Sequence, residues 1–329
     1  MQGERGGGVA ETLVSTLLVL AAILAAFVPF AGPSSPNVAG PTTVLVSGRA
    51  LSFSSESFGL SAPVVSSAPP TGANFDYVLT IVMENKAICD ILTSCNGTAP
   101  YLTSLAAASG LATHYHGTIS PSLGNYLSIT AASTFGCTAD SLPNASACTR
   151  EAWNASNLVD RLEAASLTWK AYQESMPSNC FGGNQYPYAA KHNPFVYYKD
   201  IATNASRCAR VVPSGTSNQV LLNDLASTAT ASNYMWFTPN LCHDMHDCNV
   251  TAGDTFLSGL VPQILNSTVF QTQRAALLIT FDEDGNGAGS PDLYTVWAGP
   301  AAKQGFQSNV PYDHYSALRT IEEIGRAHV

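Results

Sequence analysis

The chain has 329 residues and a net charge of −9, and charged side chains make up only 11% of it. Soluble proteins carry about 25% charged residues on average, so the surface is both acidic and poor in lysine. Nucleic-acid binding needs clustered basic residues, and the composition therefore excludes nucleic acid as an expected partner. The length suffices for one large domain with a leader.

The amino-terminal region carries an apolar segment that is typical of export signals. Arg5 precedes an almost uncharged run from Leu13 to Ala31. This run lies between the ~7–15 apolar residues of a cleavable signal and the ~20 of a membrane span. We predict that residues 1–32 form a signal peptide or an uncleaved signal anchor. A buried core helix is the alternative, but nothing globular precedes it.

Residues 33–73 are rich in Ser, Pro and Gly and show no sustained periodicity, which predicts a linker between the membrane and a domain. Alternatively, the run TTVLV at 42–46 forms a strand that belongs to the domain, which would move the domain boundary. We place the catalytic domain at residues 74–323. Residues 324–329 read IGRAHV, which a common sequencing-adapter string also encodes. We expect these six to be read-through, with the natural carboxyl terminus missing.

Five apolar runs predict the strands of the domain. Continuous apolar runs are typical of parallel strands buried on both faces. Helical patterns separate them, with Pro100 in a first turn and Asn157 as a candidate N-cap. This alternation predicts an α/β domain with a mostly parallel central sheet flanked by helices. The runs are Tyr77–Met83, Leu167–Tyr172, Tyr234–Thr238, Ala275–Phe281 and Leu293–Gly299.

All eight cysteines follow the leader, and an even number in an exported chain favours disulfides. Sequential pairing predicts Cys89–Cys95, Cys137–Cys148, Cys180–Cys208 and Cys242–Cys248, although other pairings stay open. The absence of a CxxC pair argues against a cysteine zinc site. The sequence also permits N-glycosylation at six sequons, at Asn96, Asn144, Asn154, Asn204, Asn249 and Asn266.

Acidic and histidine residues directly follow three of the predicted strands. Glu84 and Asn85 follow the first, the segment Pro239–Asp247 follows the third, and Asp282–Asp284 follows the fourth. Ligands of such sheets collect at the carboxyl ends of the strands. Carboxylate oxygen together with imidazole suits a divalent cation such as Zn, Mn or Fe. The pattern therefore predicts a metal site at this edge, of unspecified metal.

Two alternatives compete for parts of this pattern. Asp282, Asp284, Asn286 and Gly287 match the first half of an EF-hand calcium loop, but a strand precedes them and the twelfth position is Leu293. Separately, Ser122 lies where a loop enters a predicted helix. It is either a simple N-cap or a nucleophile presented beside backbone N–H groups that favour a phosphate.

Five motifs, in this order along the chain, resemble the phosphoesterase family. This family contains acid phosphatases and bacterial phospholipases C within the alkaline phosphatase superfamily. The resemblance spans about Asp76 to Ile324. The motifs are MEN (Met83–Asn85), SPSLGNY (Ser120–Tyr126), PNLCHDMHD (Pro239–Asp247), TFDEDGN (Thr280–Asn286) and DHYSALRTIEEI (Asp313–Ile324).

The resemblance implies an alkaline phosphatase-like fold, one or two divalent metal ions and a serine nucleophile that hydrolyses small phosphate monoesters outside the cytoplasm. It implies three groups of site residues: Ser122, His246 and His314 for catalysis, Glu84, Asn85, Asp282, Glu283 and Asp244 as metal ligands, and Asn125, His243 and Asp247 for substrate binding. A membrane contact is expected only through an N-terminal anchor.

The chain departs from the family's usual H-P-S-x-P-N-Y at two positions, where Ser120 replaces the histidine and Gly124 the second proline. The missing histidine could bind phosphate or donate a proton, and His114 or His116 is a candidate replacement. Two alternatives to a phosphomonoesterase therefore stay open. One is a phosphodiesterase or phospholipase C, and the other is a catalytically degenerate, surface-anchored binding protein.

Overall fold

A computed structural model describes residues 75–285 and 292–324. The predicted leader, the linker with its 42–46 run, and residues 325–329 lie outside the described residues, as do Asn286 and Gly287 of the calcium-loop alternative. The proposed domain boundaries thus stay predictions. Among the described helices, none is both long and apolar enough to cross a membrane.

The described residues contain one large sheet and one small one. The large sheet has eight strands in the order β5-β4-β6-β1-β7-β8-β2-β9, and β3 pairs with β10 in the small sheet. The strands are β1 Tyr77–Met83, β2 Gly110–Ala112, β3 Tyr115–His116, β4 Trp169–Gln173, β5 Val211–Pro213, β6 Tyr234–Thr238, β7 Ala275–Phe281, β8 Thr295–Ala298, β9 Phe306–Ser308 and β10 Tyr312–Asp313.

At the centre of the large sheet, the carboxyl ends of two strands lie side by side. Strands β1 and β7 pair in parallel over their whole length, from Tyr77↔Ala275 to Met83↔Phe281. Both are almost wholly buried, as expected for strands covered on both faces. Because they end at the same edge in the same register, the residues that follow them, Glu84 and Asp282, become neighbours.

The predicted fold class is confirmed, since all neighbouring strands pair in parallel except where β8 is involved. The run from Leu293 to Gly299 does form a strand, but it is shorter and lies antiparallel to β7 and β2. Strands β2, β5 and β9 were not predicted, because three residues are too few to show a period.

Helices pack around the sheet, and their ends follow the predicted cap residues. Helix α2 begins at Pro100, and the Asn157 side chain accepts the Val159 N–H at the start of α5. The described helices are α1 Ile88–Ile91, α2 Pro100–Ala108, α3 Ser122–Ala131, α4 Ala147–Trp153, α5 Leu158–Ala164, α6 Lys199–Ala202, α7 Ala205–Cys208, α8 Gln219–Leu225, α9 Val250–Leu265, α10 Thr268–Thr272 and α11 His314–Ile321.

The eight cysteines form four sequential disulfides in the structure, and the described residues include no free thiol. Two of them, Cys89–Cys95 and Cys242–Cys248, join residues that are six apart. The second closes the loop that contains Asp244 and His246. It therefore fixes the positions of these two side chains relative to each other.

Replacing both Cys242 and Cys248 with serine is expected to lower the free energy of unfolding by roughly 2 kcal/mol, because the unfolded chain loses a short closed loop. Phosphatase activity should fall about tenfold or more, since small displacements of site residues are costly. Urea unfolding and steady-state kinetics check both. Removal of Cys89–Cys95, which spans an equal separation, should cost similar stability but little activity. Equal activity losses in both variants would contradict a special role for the Cys242–Cys248 loop.

Candidate active site

Three fully buried carboxylates, Glu84, Asp244 and Asp282, lie together at the carboxyl edge of the sheet. Backbone hydrogen bonds tie their segments to each other. The Glu84 N–H donates to the Asp244 carbonyl at 2.8 Å, and the Asp282 N–H donates to the Met83 carbonyl at 3.0 Å. The Asn85 N–H donates to Asp282 Oδ1 at 3.0 Å. The site is thus preformed by the ends of β1 and β7 and the loop after β6.

Helix α3 directs a hydroxyl into these carboxylates. Ser122, its first residue, is only 2% exposed, and its Oγ donates to Glu84 Oε2 at 3.0 Å. The Asp282 carboxylate lies beside it, with Oδ1 accepting the Asn85 N–H. One turn later the Tyr126 hydroxyl donates to Glu84 Oε1 at 2.6 Å, as residues four apart share a helix face. Ser122 is therefore held against two carboxylates by a helix that is itself buried.

His192 lies between two of the acids, and the sequence did not predict it. Its Nε2 is 3.1 Å from Glu84 Oε1, its Nδ1 is 3.1 Å from Asp244 Oδ2, and its ring stacks on Tyr126. It is part of a short 3₁₀ turn, Ala190–His192, instead of a strand end. The adjoining buried run PFVYY was the available signal, since a histidine beside such a run is itself buried and needs polar partners.

The cluster holds more negative charge than its own side chains neutralise. Burial, then Asp282 and Asp244, raise the pKa of Glu84 well above its usual value. Burial also raises the pKa of Asp244 to about 7, and burial followed by Glu283 raises the pKa of Asp282 to about 7. Burial lowers the pKa of His192 well below its usual value, so this imidazole is neutral. A bound cation would relieve the repulsion among the acids.

Unpaired atoms point to the same conclusion. Asp282 Oδ2 is buried without a hydrogen bond, and His192 Nε2 and Asp244 Oδ2 lie 3.1 Å from polar neighbours in directions that form none, although such atoms in proteins normally have partners. Glu84, His192 and His246 also bring ligand atoms within 4.8 Å of one another. Carboxylate oxygen and imidazole nitrogen suit a divalent transition metal. The residues therefore fit the predicted metal, and His192 joins the candidate ligands.

Lys191, Asp140 and His246 form a hydrogen-bonded chain beside this cluster. Lys191 Nζ is 2.9 Å from Asp140 Oδ2 and 3.1 Å from His246 Nε2. Because the ammonium only donates, Nε2 accepts, and the proton on Nδ1 goes to Asp247 at 2.6 Å. Burial lowers the pKa of Lys191, but the Glu84 and Asp140 carboxylates raise it above the usual value overall. Asp247 thus orients His246 instead of facing a substrate.

One expected feature of the helix start is corrected by the structure. The Leu123 N–H in the first turn of α3 donates to Asp140 Oδ1 at 3.1 Å. This N–H is therefore occupied by a carboxylate and is not available to a phosphate. The Lys191 ammonium is paired with the same Asp140 carboxylate. It therefore supplies a positive charge near the start of α3.

His314 holds the backbone beside the acid cluster, and its predicted catalytic role stays a prediction. It is fully buried, and its Nε2 donates to the Asp282 carbonyl at 2.7 Å. Because that nitrogen carries the proton, Nδ1 accepts from the Tyr115 hydroxyl at 3.1 Å. Burial lowers the pKa of His314 to about 4. The neutral ring is fully engaged and positions the chain at Asp282.

Two predicted substrate-binding residues are also engaged elsewhere. Asn125 Oδ1 accepts the N–H groups of Thr118 and Ile119, and its Nδ2 donates to the Ile119 carbonyl, so it holds the loop before Ser122. His243 Nδ1 lies 2.9 Å from Glu174 Oε1, and its ring stacks on Phe256. Asn125 is thus committed to the backbone of this loop, and the substrate-binding roles of both residues stay predictions.

The remaining histidines and Glu283 lie at the border of the site. Ser120, which replaces the family's histidine, hydrogen-bonds Glu283. His114 and His116 do not replace that histidine, because they lie 2.7 and 3.6 Å from Asp292 Oδ1 in a separate, half-exposed group. Neither His114 nor His116 therefore occupies the position of the family's histidine.

A family model described as the phosphoesterase family matches residues 95–325. The chain belongs to the phosphoesterase family. This confirms the resemblance that the five motifs indicated. Among curated relatives, this phosphoesterase is 30% identical over 266 residues to a phosphatidylinositol-3-phosphatase of Mycobacterium tuberculosis, covering 79% of each chain. It is 28% identical to an acid phosphatase of Aspergillus fumigatus, covering 66% of this chain but only 48% of the fungal protein.

Solved structures of other proteins share the fold of this phosphoesterase. A protein of the alkaline phosphatase superfamily from Vibrio parahaemolyticus has a TM-score of 0.51 at 10% identity, covering 80% of this chain and 71% of its own. The lipoteichoic acid synthase LtaP of Listeria monocytogenes gives 0.51 at 8% identity, covering 77% and 72%. The chain thus has an alkaline phosphatase-like fold, as the resemblance implied, while it spans about half the length of the Aspergillus relative.

Proposed function

We propose that this phosphoesterase hydrolyses phosphate monoesters with Ser122 as the nucleophile. The carrying observation is the contact of the Ser122 hydroxyl with Glu84 and Asp282 inside a preformed cluster that retains unpaired buried atoms. Family membership supports a hydrolase acting on phosphoric esters. The curated relatives are named as phosphatases, which favours monoesters over diesters.

A divalent cation would be held by Glu84, Asp282 and His192, with Asp244 adjacent, while His246 keeps Lys191 in place. When bound, it would neutralise the non-bridging oxygens of the phosphate and lower the pKa of the serine hydroxyl. The raised pKa values of the acids and their unpaired atoms support such an ion. Asn85 and Glu283 stay predicted ligands, and the Asn85 N–H donates to Asp282 beside them.

The side chains of this protein then have separate tasks. Ser122 Oγ forms a bond to phosphorus while the ester P–O bond breaks in line, and the serine proton passes to Glu84. The Lys191 ammonium, held by Asp140 and His246, stabilises the departing oxygen and supplies its proton. Water then attacks the phosphoserine and gives a proton to Lys191, while the Ser122 oxygen leaves with the proton held by Glu84. This restores all three side chains and releases phosphate.

We further propose that the enzyme acts outside the cytoplasm. Four disulfides fit an oxidising compartment. The asparagines of all six sequons are exposed in the structure, so each is accessible to glycosylation. The signal peptide or signal anchor and the membrane contact through it remain predictions from the sequence.

Purified protein is expected to release p-nitrophenol from p-nitrophenyl phosphate. Activity should vanish with EDTA and return with one of Zn²⁺, Mn²⁺ or Fe²⁺, because the acids of the cluster repel a phosphate when no cation is bound. A parallel assay with bis-p-nitrophenyl phosphate tests the diesterase alternative, and we expect slower release from it. Undetectable release with every metal would instead support the degenerate binding protein.

A further inference from the structure

A cavity of 270 Å³ opens beside the acid cluster. Its lining is charged at one end, with Lys191, Asp140 and His246, and apolar at the other, with Leu142, Tyr186 and Leu241. Lys191 and His246 belong to the chain of hydrogen bonds that borders Glu84, so the cavity adjoins the proposed phosphate site. Its size is just below the roughly 300 Å³ at which small-molecule pockets begin, which suits a small organic group.

The cavity has an apolar wall although it opens to solvent. Leu142 is 43% exposed and Tyr186 is 72% exposed, and because both line this one cavity, they present apolar surface to the same space. Two further tyrosines in the lining have no free hydroxyl, since Tyr188 donates to the Phe181 carbonyl and Tyr197 donates to the Ser141 carbonyl. Both tyrosines are almost fully buried behind the wall, so the apolar surface at the mouth of the cavity comes mainly from Leu142 and Tyr186.

We infer that this cavity binds the alcohol portion of the substrate, and that the preferred substrates are phosphate monoesters of apolar alcohols. The inference rests on the proposed phosphatase function. A phosphate beside Lys191 and His246 would direct its ester group along Leu142 and Tyr186. A polyhydroxylated group, such as a sugar, would leave water there without gaining matching hydrogen bonds.

The test is hydrolysis of the n-alkyl phosphates from ethyl to octyl, as dissolved monomers. The leaving alcohols are chemically alike, so chain length reports the burial of methylene groups. Burial contributes about 0.8 kcal/mol per methylene, which is about fourfold in kcat/KM. We expect kcat/KM to rise by about twofold per methylene if each group is partly buried and by about fourfold if it is fully buried. The rise should level off when the cavity is full.

Substitutions in the cavity wall test whether this cavity causes the dependence on chain length. Combining Leu142→Ser and Tyr186→Ser should lower the octyl-to-ethyl ratio of kcat/KM by about tenfold or more, since both apolar contacts are lost. The matched control is Tyr315→Ser, which changes an aromatic side chain that is 38% exposed but does not line the cavity. It should keep the wild-type ratio.

The outcomes separate this inference from the proposed function. Hydrolysis of all members at equal kcat/KM would overturn the apolar cavity while leaving phosphatase activity established. A wild-type ratio in the double variant would likewise overturn it, because another surface would then bind the chain. If no ester is hydrolysed, the proposed function fails and this inference fails with it.

Discussion

Replacing Ser122 with alanine is expected to reduce the turnover of p-nitrophenyl phosphate by a factor on the order of 10⁴ or more, as removal of a catalytic nucleophile does. The Ser122 hydroxyl is the one that contacts Glu84 and Asp282 among the serines of α3 and its preceding loop. Because the side chain is small and buried, its loss should change neither the fold nor the bound metal. Steady-state kinetics, circular dichroism and metal analysis check these three expectations.

Ser128→Ala is the matched control for this change. Ser128 lies in the same helix, is equally buried, and donates its hydroxyl to the Gly124 carbonyl. Its replacement should cost about 1 kcal/mol of stability through the lost hydrogen bond and have a modest effect on turnover. Near-normal turnover in the Ser122 variant would refute the nucleophile and point to direct attack by water.

The second large effect is expected from Glu84→Gln and Asp282→Asn. Each change removes a negative charge from the centre of the cluster, where a cation would be the largest local charge. We expect each variant to lose most of its bound divalent metal and its phosphatase activity in parallel, by about a hundredfold or more. Mass spectrometry of the metal content and kinetics at saturating added metal measure the two effects separately.

Asp254→Asn provides a control with a buried carboxylate elsewhere in the fold. Asp254 accepts the Tyr101 and Leu102 N–H groups at the start of α2, so its replacement affects stability at a site without a metal role. Its metal content should equal that of the wild type. If Glu84→Gln and Asp282→Asn also retain full metal, the ligands have been assigned to the wrong residues.

The sequence predicted the central strands accurately for a simple physical reason. Strands β1, β6 and β7 are buried on both faces, so each appears as an uninterrupted apolar run with the bounds that the structure shows. The short outer strands β2 and β9 carry too few residues for a period. The reversed direction of β8 was equally invisible, because an antiparallel strand that is mostly buried has the same composition as a parallel one.

The residues at strand ends were also predictable, while those from other segments were not. Glu84, Asp244 and Asp282 follow β1, β6 and β7, and the parallel pairing of these strands brings them together. His192 and Lys191 come from a turn between β4 and α6. No local pattern connects that turn to the sheet edge, so only the tertiary fold could place them there.

Two predicted site residues hold backbone segments in the structure. His314 and Asn125 belong to motifs that the family resemblance assigned to the site, and both lie beside it. Their polar atoms, however, bind the backbone that carries Asp282 and the loop before Ser122. A motif identifies residues that matter to a site but does not distinguish a group that meets the substrate from one that holds the chain in place.

The central claim is tested most directly by trapping the covalent intermediate. Reaction with phosphate-labelled p-nitrophenyl phosphate would be quenched in acid during turnover, and the digested protein would be mapped by mass spectrometry. The account predicts phosphate on the peptide that contains Ser122, on that side chain, and no label in the Ser122→Ala protein. Label on a different residue, or continued turnover in that variant with no covalent label in either protein, would contradict it.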